Sequence, residues 1–281
     1  MSRITQQGLI IVDAHVHIHD CFNVATLLSS AYDNFKFEAL RHKDADEFTG
    51  VLILTETSKH DWFSRLSSCA DANKAIVDEI GNRWRFFQAQ DTCSLFARSS
   101  GGRNLILIAG RQIVTKENLE VLALATRARF RDGTPISNVI KTINESGGIP
   151  VLPWGVGKWF GKRGKILKSL LTSVDKPAFF LGDNSGRPVF WPRPAMFRLA
   201  ERHGMRVLPG TDPLPLPLEE SRCGSFGFAI RGSISREQPD ADIKCLIKDG
   251  TVEICPYGKL EKPLRFIRNQ LQIRLQKQQY N

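Results

Sequence analysis

Two periodicities alternate along this chain. Short apolar runs rich in β-branched residues predict strands at 9–12, 50–55, 104–115, 119–125, 149–152, 178–181, 206–208 and 225–230. Between them, apolar residues recur at helical spacing at 22–32, 61–80, 134–147, 162–172, 194–203, 240–248 and 260–278. Residues 84–98 read as a β-hairpin turning near Asp91. The sharpest unit runs from 134 to 152. Thr134 serves as N-cap, Pro135 takes the first helical position, Ile136, Val139, Ile140 and Ile143 form the inward stripe, and Gly147 stops the helix before a strand. Strands alternating with helices predict a parallel sheet with right-handed crossovers. About seven such units in 281 residues predict an α/β, TIM-barrel-like fold. An open doubly wound sheet would carry a Gly-rich turn after its first strand, where this chain carries histidines.

That first segment is the most informative. Beyond Val12 the pattern becomes strictly alternating: Val12, Ala14, Val16 and Ile18 fall on one face, Asp13, His15, His17 and His19 on the other. Imidazoles at i and i+2 on one strand face offer two nitrogen ligands to one metal ion or to two adjacent ions. In parallel barrels the chemistry collects at the C-terminal strand ends, and polar residues do follow the predicted strands. Glu56 follows the second, with His60 four residues on; Arg111, Gln112 and Glu120 interrupt the next two; Trp154, then Asp183 and Asn184, then Asp212 follow the later ones. Carboxylates, imidazoles and amides recurring at these positions predict one shared cavity. On spacing alone His15 and His17 are candidate metal ligands, and His60, just past the second strand, could swing into the same site. His19 is a spare imidazole, His42 sits in a solvated charge cluster, and His203 suits a helix C-terminus.

Composition narrows the partners. Hydrophobic residues make up 42% of the chain, enough for a proper core, and no apolar run approaches the length of a membrane span. With no apolar signal region near the N-terminus, a soluble cytoplasmic protein is expected. Six scattered cysteines without a Cys-x-x-Cys pair are expected to be reduced and mostly buried. The net charge of +10 favours anionic partners. Half of it lies in 259–281, where six Lys/Arg face one Glu. This stretch reads as a basic amphipathic helix packed on or extending from a 1–258 barrel domain, with Leu264, Ile267, Leu271 and Leu275 laid on the barrel or, as the second reading, on a membrane surface or partner. Gly155–Gly164 is Gly-rich and basic but departs from the P-loop pattern. Lys158, Lys162 and Arg163 are its candidate anion contacts, and Arg187, Trp154 and Asn184 complete the candidate substrate contacts. An anionic small molecule is the expected partner; nucleic acid, resting on charge alone, is not.

The motifs themselves carry a resemblance. Asp13-Ala-His-Val-His17 resembles the opening motif of the polymerase-and-histidinol-phosphatase (PHP) family and of the wider amidohydrolase superfamily. Thr55-Glu56-Thr57 stands where the PHP family has Thr-Asp-His, and Gly110-Arg-Gln112 where it has a Gly-x-Glu ligand. Glu120-Val-Leu-Ala-Leu resembles its next strand, where a His is usual. Gly147-Gly-Ile-Pro-Val-Leu-Pro-Trp154 is similar to its Gly-Gly-x-x-x-x-Ala-His-Pro segment, with Trp154 replacing the His. Gly210-Thr-Asp212-Pro-Leu214 is similar to its Gly-Ser-Asp-x-His ending, with Leu214 replacing the last His. These blocks cover about residues 9–230.

The resemblance implies a PHP-like distorted (β/α)7-type barrel that holds up to three metals on about nine ligands. Only His15, His17 and Asp212 match outright. Glu56 and Glu120 are chemically tolerable, whereas Gln112, Thr57, Trp154 and Leu214 are poor ligands or none. What remains implies one or at most two divalent ions, zinc or manganese, on His15, His17, Glu56, His60, Glu120 and Asp212, with Asp212 also the candidate catalytic base. The implied activity is a metal-dependent hydrolase, phosphoesterase- or amidohydrolase-like, working through a metal-activated water. The replaced ligands keep open a second reading, a catalytically inactive barrel of this kind that binds a ligand or partner.

Overall fold

The computed structural model describes residues 8–42, 47–175 and 177–279. Its strands are β1 (Gly8–Val16), β2 (Phe48–Leu54), β3 (Ile76–Val77), β4 (Arg83–Gln88), β5 (Ser94–Ser99), β6 (Asn104–Ile108), β7 (Gly110–Val114), β8 (Glu120–Leu124), β9 (Ile149–Pro153), β10 (Phe180–Asn184), β11 (Val207–Gly210), β12 (Phe226–Gly232) and β13 (Cys255–Gly258). Its helices are α1 (Val24–Arg41), α2 (Trp62–Asp71), α3 (Ile136–Glu145), α4 (Gly161–Thr172), α5 (Ala195–Arg202), α6 (Pro239–Lys248) and α7 (Pro263–Gln279). No helix among the described residues is long and apolar enough to cross a membrane.

The strands form two mixed sheets rather than one closed parallel barrel. The first has the order β13-β12-β1-β2-β6-β5-β4-β3, the second β11-β10-β9-β8-β7. β1, β2 and β6 run parallel, as do β9, β10 and β11, whereas β8 runs antiparallel to both its neighbours. The sheets face each other and touch at two seams. At one, Asp212 N–H donates to His15 O at 2.8 Å. At the other, Glu56 bridges Arg111, with Gln112 N–H donating to Glu56 O at 2.8 Å. The expected TIM-like closure is therefore replaced by two short contacts, because antiparallel strands interrupt the β/α alternation that would continue the ladder.

Three apolar layers result. Ile10, Val12, Val51, Ile53, Ile106 and Ile108 of the first sheet meet Leu122, Leu124, Ile149, Val151 and Leu208 of the second, with Ile243 and Ile247 of α6. Leu27, Leu28, Ala31 and Phe35 of α1 cover the outer face of the first sheet, and α3 to α5 cover the second. Each fully buried Leu or Ile contributes about 2 kcal/mol by leaving water.

Where expected elements differ, the cause is visible. The apolar run 104–115 is two strands in different sheets, broken at Ala109. Gly110 makes the switch possible, since a Cβ there would lie 2.3 Å from Leu54 O. The helix expected over 61–80 ends at Asp71, with Asn73 in the left-handed region at φ 51°. α1 extends well beyond 32 because Phe35 and Ala39 continue its buried stripe, and Asn23 Oδ1 caps it by accepting Ala25 N–H and Thr26 N–H. Pro135 stands at the N-cap position of α3 in place of Thr134 and makes no side-chain cap, and Glu117 instead accepts Ile136 N–H at 3.0 Å. The described cysteines are free, but only Cys223 is buried.

α7 reverses the expected orientation. Leu264, Ile267, Leu271 and Leu275 are exposed, at 84, 52, 55 and 59%. The inward face carries Arg265, Phe266 and the buried Asn269. Arg265 pairs with Glu219 at 2.7 Å and with Glu261 at 3.7 Å, two buried carboxylates, and Phe266 rests on Phe190. Counter-charging those carboxylates decides which face turns in.

Candidate metal centre

The strict alternation expected for β1 does not survive. The register between β1 and β2 shifts between Asp13 and Val16. Before the shift Leu9 and Ile11 face the α1 layer; after it Val16 and Ile18 do. Such a bulge re-aims side chains. It turns Asp13 away from the two imidazoles and leaves His15 and His17 together at the end of the strand.

Their Nε2 atoms lie 3.0 Å apart. Asp212 Oδ1 lies 3.4 Å from the first and 3.5 Å from the second. Among the described residues, these three form the group of His, Cys, Asp or Glu side chains whose donor atoms lie within 4.8 Å of one another. Sequence reasoning proposed six ligands, and the structure brings these three together.

The approach is built into the backbone. Gly210 ends β11 against His15, where a Cβ would lie 2.3 Å from His15 N. Asp212 then turns back at φ 50°, a left-handed conformation that Asp adopts more readily than most residues. Asp13 fastens the turn. Its carboxylate accepts Thr211 N–H at 2.8 Å, Thr211 Oγ1–H at 2.6 Å, Gly224 N–H at 2.9 Å and His15 N–H at 3.2 Å. Burial nevertheless pushes Asp13 up to about 6, against those donors. Asn184 Nδ2 donates to Asp212 Oδ2 at 2.9 Å and to Trp154 O at 2.9 Å, leaving Asp212 Oδ1 facing the imidazoles.

Charge states suit metal binding. Burial, and then His15 beside it, pulls His17 down to about 3, so it is neutral at pH 7, as a ligand must be; the Gln112 side chain bonds to it. Burial alone would raise Asp212, but His15, His17, Lys158 and His19 hold it below the usual carboxylate range. Two imidazoles and one carboxylate converging on one point are a donor set that fits zinc or manganese.

The other candidates lie apart from this triad. Glu56 accepts Phe63 N–H at 2.8 Å at the start of α2 and pairs with Arg111 at 3.1 Å. His60 bonds through Nδ1 to Thr57 at 3.0 Å, and its Nε2 faces Asp20 at 3.7 Å. It continues a row of imidazoles through His19, whose ring centre is 6.0 Å away. Glu120 reaches the same end of the molecule because β8 runs backwards, and it is ion-paired to Lys158. Arg163 is spent on Gly157 O and Asn118 O. Arg187 is locked on Asp183 by two bonds of 2.9 and 2.7 Å. Trp154 is buried, its ring against Trp191.

A cavity of about 290 Å³ opens beside His60 and Gln112, rimmed by Arg65, Arg111 and Arg129. Sequence reasoning gave no role to Asp13 as the fastener or to Thr211 and set Gln112 aside as a poor ligand. Only their place inside the recognised motifs marked them.

No family model matches the chain, and no curated protein matches it. Solved structures do. PsfC from Pseudomonas syringae PB-5123 superposes with a TM-score of 0.52 at 14% identity over 98% of this chain and 100% of its own. The lesion-specific endonuclease PfuEndoQ from Pyrococcus furiosus gives 0.52 at 12% identity over 88% of this chain and 57% of its own. Endonuclease Q in complex with a 27-mer duplex carrying an abasic lesion at the active site gives 0.51 at 12% identity, over 88% and 58%. This chain thus spans somewhat over half the length of endonuclease Q. Likeness at these identities extends to the fold alone: a mixed α/β architecture, here of two facing sheets without a closed barrel.

Proposed function

We propose that this protein is a metal-dependent hydrolase that holds one divalent ion on His15, His17 and Asp212 and acts on an anionic substrate. The convergence of those three donors carries the reading. An ion held on these three donors would lower the pKa of a bound water toward neutrality. His17 stays neutral and keeps a lone pair for coordination. Asp212 serves as ligand through Oδ1 while Asn184 holds Oδ2, an arrangement that favours a ligand role over that of a free base. Asp13 keeps Thr211 and His15 at fixed spacing. The cavity beside His60 and Gln112 is the candidate substrate space, with Arg111 and Arg129 on its rim.

The substrate class stays within anionic esters. The duplex bound at the active site of endonuclease Q, together with the +10 charge, brings nucleic-acid phosphodiesters back beside the small anionic molecule favoured by sequence.

Metal analysis of purified protein with His15→Ala and His17→Ala variants tests the reading, alongside hydrolysis of a phosphomonoester and of an abasic-site duplex across salt concentrations. One ion per chain, lost in the variants together with turnover, supports it. A folded, metal-free protein that still binds ligand establishes instead an inactive barrel. Cleavage of the duplex that weakens steeply with salt selects nucleic acid.

A further inference from the structure

Glu120 and Lys158 stand at the same end of the molecule as the donor triad, yet neither belongs to it. Glu120 opens β8, and Lys158 lies in the turn between β9 and α4. Their ion pair is half-open to solvent, with side-chain exposures of 20 and 31%. An isolated, partly solvated pair of this kind adds little to stability, yet the backbone around this one is shaped to hold it.

Lys158 N–H donates to Gly155 O at 3.0 Å, closing the turn, and Gly157 takes the left-handed conformation at φ 72°. Arg163 Nη2–H donates to Gly157 O at 2.9 Å and pins the turn from α4. The lysine stem lies flat across Gly155: a Cβ there would sit 2.7 Å from Lys158 Cδ and 3.1 Å from its Cγ. The absent side chain at Gly155 is thus what lets the ammonium reach back to Glu120. Its charge is also felt at Asp212.

Among the described residues, no second cluster of three ligands could hold another ion. Besides Arg111 and Arg129 on the rim of the cavity, a cation acting on the triad itself would hold an anionic substrate at a second point beside the metal. We propose that Lys158 is that group: a built-in cation, parked on Glu120 and aimed by Gly155, that binds a charged oxygen of the substrate's phosphate or carboxylate. This inference rests on the hydrolase reading for the metal but not for the anion contact.

Inorganic phosphate is the probe, titrated calorimetrically into full-length protein with and without manganese, for wild type, Lys158→Met, Lys158→Arg and Gly155→Ala. Manganese stoichiometry is expected to be the same in all four. Phosphate affinity is expected to fall about tenfold or more in Lys158→Met and Gly155→Ala, and less in Lys158→Arg. Gly155→Ala keeps the charge but displaces a flexible stem, so it holds the fold and isolates position from charge. Phosphate bound equally well by Lys158→Met overturns the inference, as does a wild type that binds none. A wild type that binds no manganese overturns the hydrolase reading alone, and phosphate binding lost in Lys158→Met then still supports the lysine's role.

Discussion

The Asp13 carboxylate receives both the backbone N–H and the hydroxyl of Thr211, at 2.8 and 2.6 Å, across 198 positions of sequence. His15, two residues past Asp13, and Asp212, next after Thr211, are thereby held with Nε2 and Oδ1 3.4 Å apart. Asp13 acts through its neighbours and touches no donor atom of the triad.

Asp13→Asn replaces an acceptor of four N–H and O–H groups by an amide that must turn its NH2 toward some of them. Metal affinity is expected to drop about 10–100-fold, the usual loss when a ligand's support is removed. Stability is expected to fall by about 2 kcal/mol or more. Calorimetric metal titration beside urea unfolding checks both; unchanged metal affinity in a folded variant removes Asp13 from the site.

Gly210→Ala forces a methyl group to within 2.3 Å of His15 N, a backbone atom that has nowhere to go. A loss of about 3 kcal/mol is expected, with the seam between the sheets opened. Thermal melting of this variant beside Gly155→Ala, whose neighbour is a movable lysine, should separate the two glycines clearly.

Burial pushes Glu56 up to about 7 in the folded protein, from the ordinary value of 4.5. A carboxyl raised in this way binds more protons folded than unfolded between those values, so stability falls as pH rises. The contribution is full below about pH 4.5 and gone above about pH 7, a difference of about 3 kcal/mol. Urea midpoints between pH 4.5 and 8 should decline more in wild type than in Glu56→Gln; parallel profiles would remove Glu56 as the cause.

On α7, Ile267→Gln and Leu271→Gln are expected to change stability by less than about 0.5 kcal/mol, since both side chains are already in water. Arg265→Ala strips a counter-charge from the buried Glu219 and Glu261 and is expected to cost about 2 kcal/mol, moderated by Arg222, which pairs with both. The opposite ranking in thermal denaturation would mean that the leucine stripe packs inward after all.

Much of this site was legible in the chain. A histidine pair behind an apolar strand, and an aspartate in a Pro-Gly-Thr-Asp-Pro turn, mark by residue type and spacing the three donors that the fold brings together. The bulge in β1 was not legible, because alternation looks identical whether or not a register shift follows. Nor was the backward course of β8, which carries Glu120 to the mouth, since a strand's own residues do not encode its partner's direction. The face of α7 was misjudged for a related reason. Its orientation is chosen by Glu219 and Glu261, and only Glu261 lies beside it in sequence. The single apolar run at 104–115 concealed a change of sheet that hangs on the missing side chain of Gly110.

The reach of Asp13 also governs when the molecule becomes competent. Its acceptor oxygens wait for Thr211 and Gly224, so a chain emerging from the ribosome can lay β1 on β2 early yet must release more than 220 residues before the three donors can meet. Joining ends that far apart costs roughly 5 kcal/mol of chain freedom. Assembly of the candidate metal site is therefore a late event in maturation, and fragments stopping short of the fourth quarter of the sequence will carry both histidines without their aspartate.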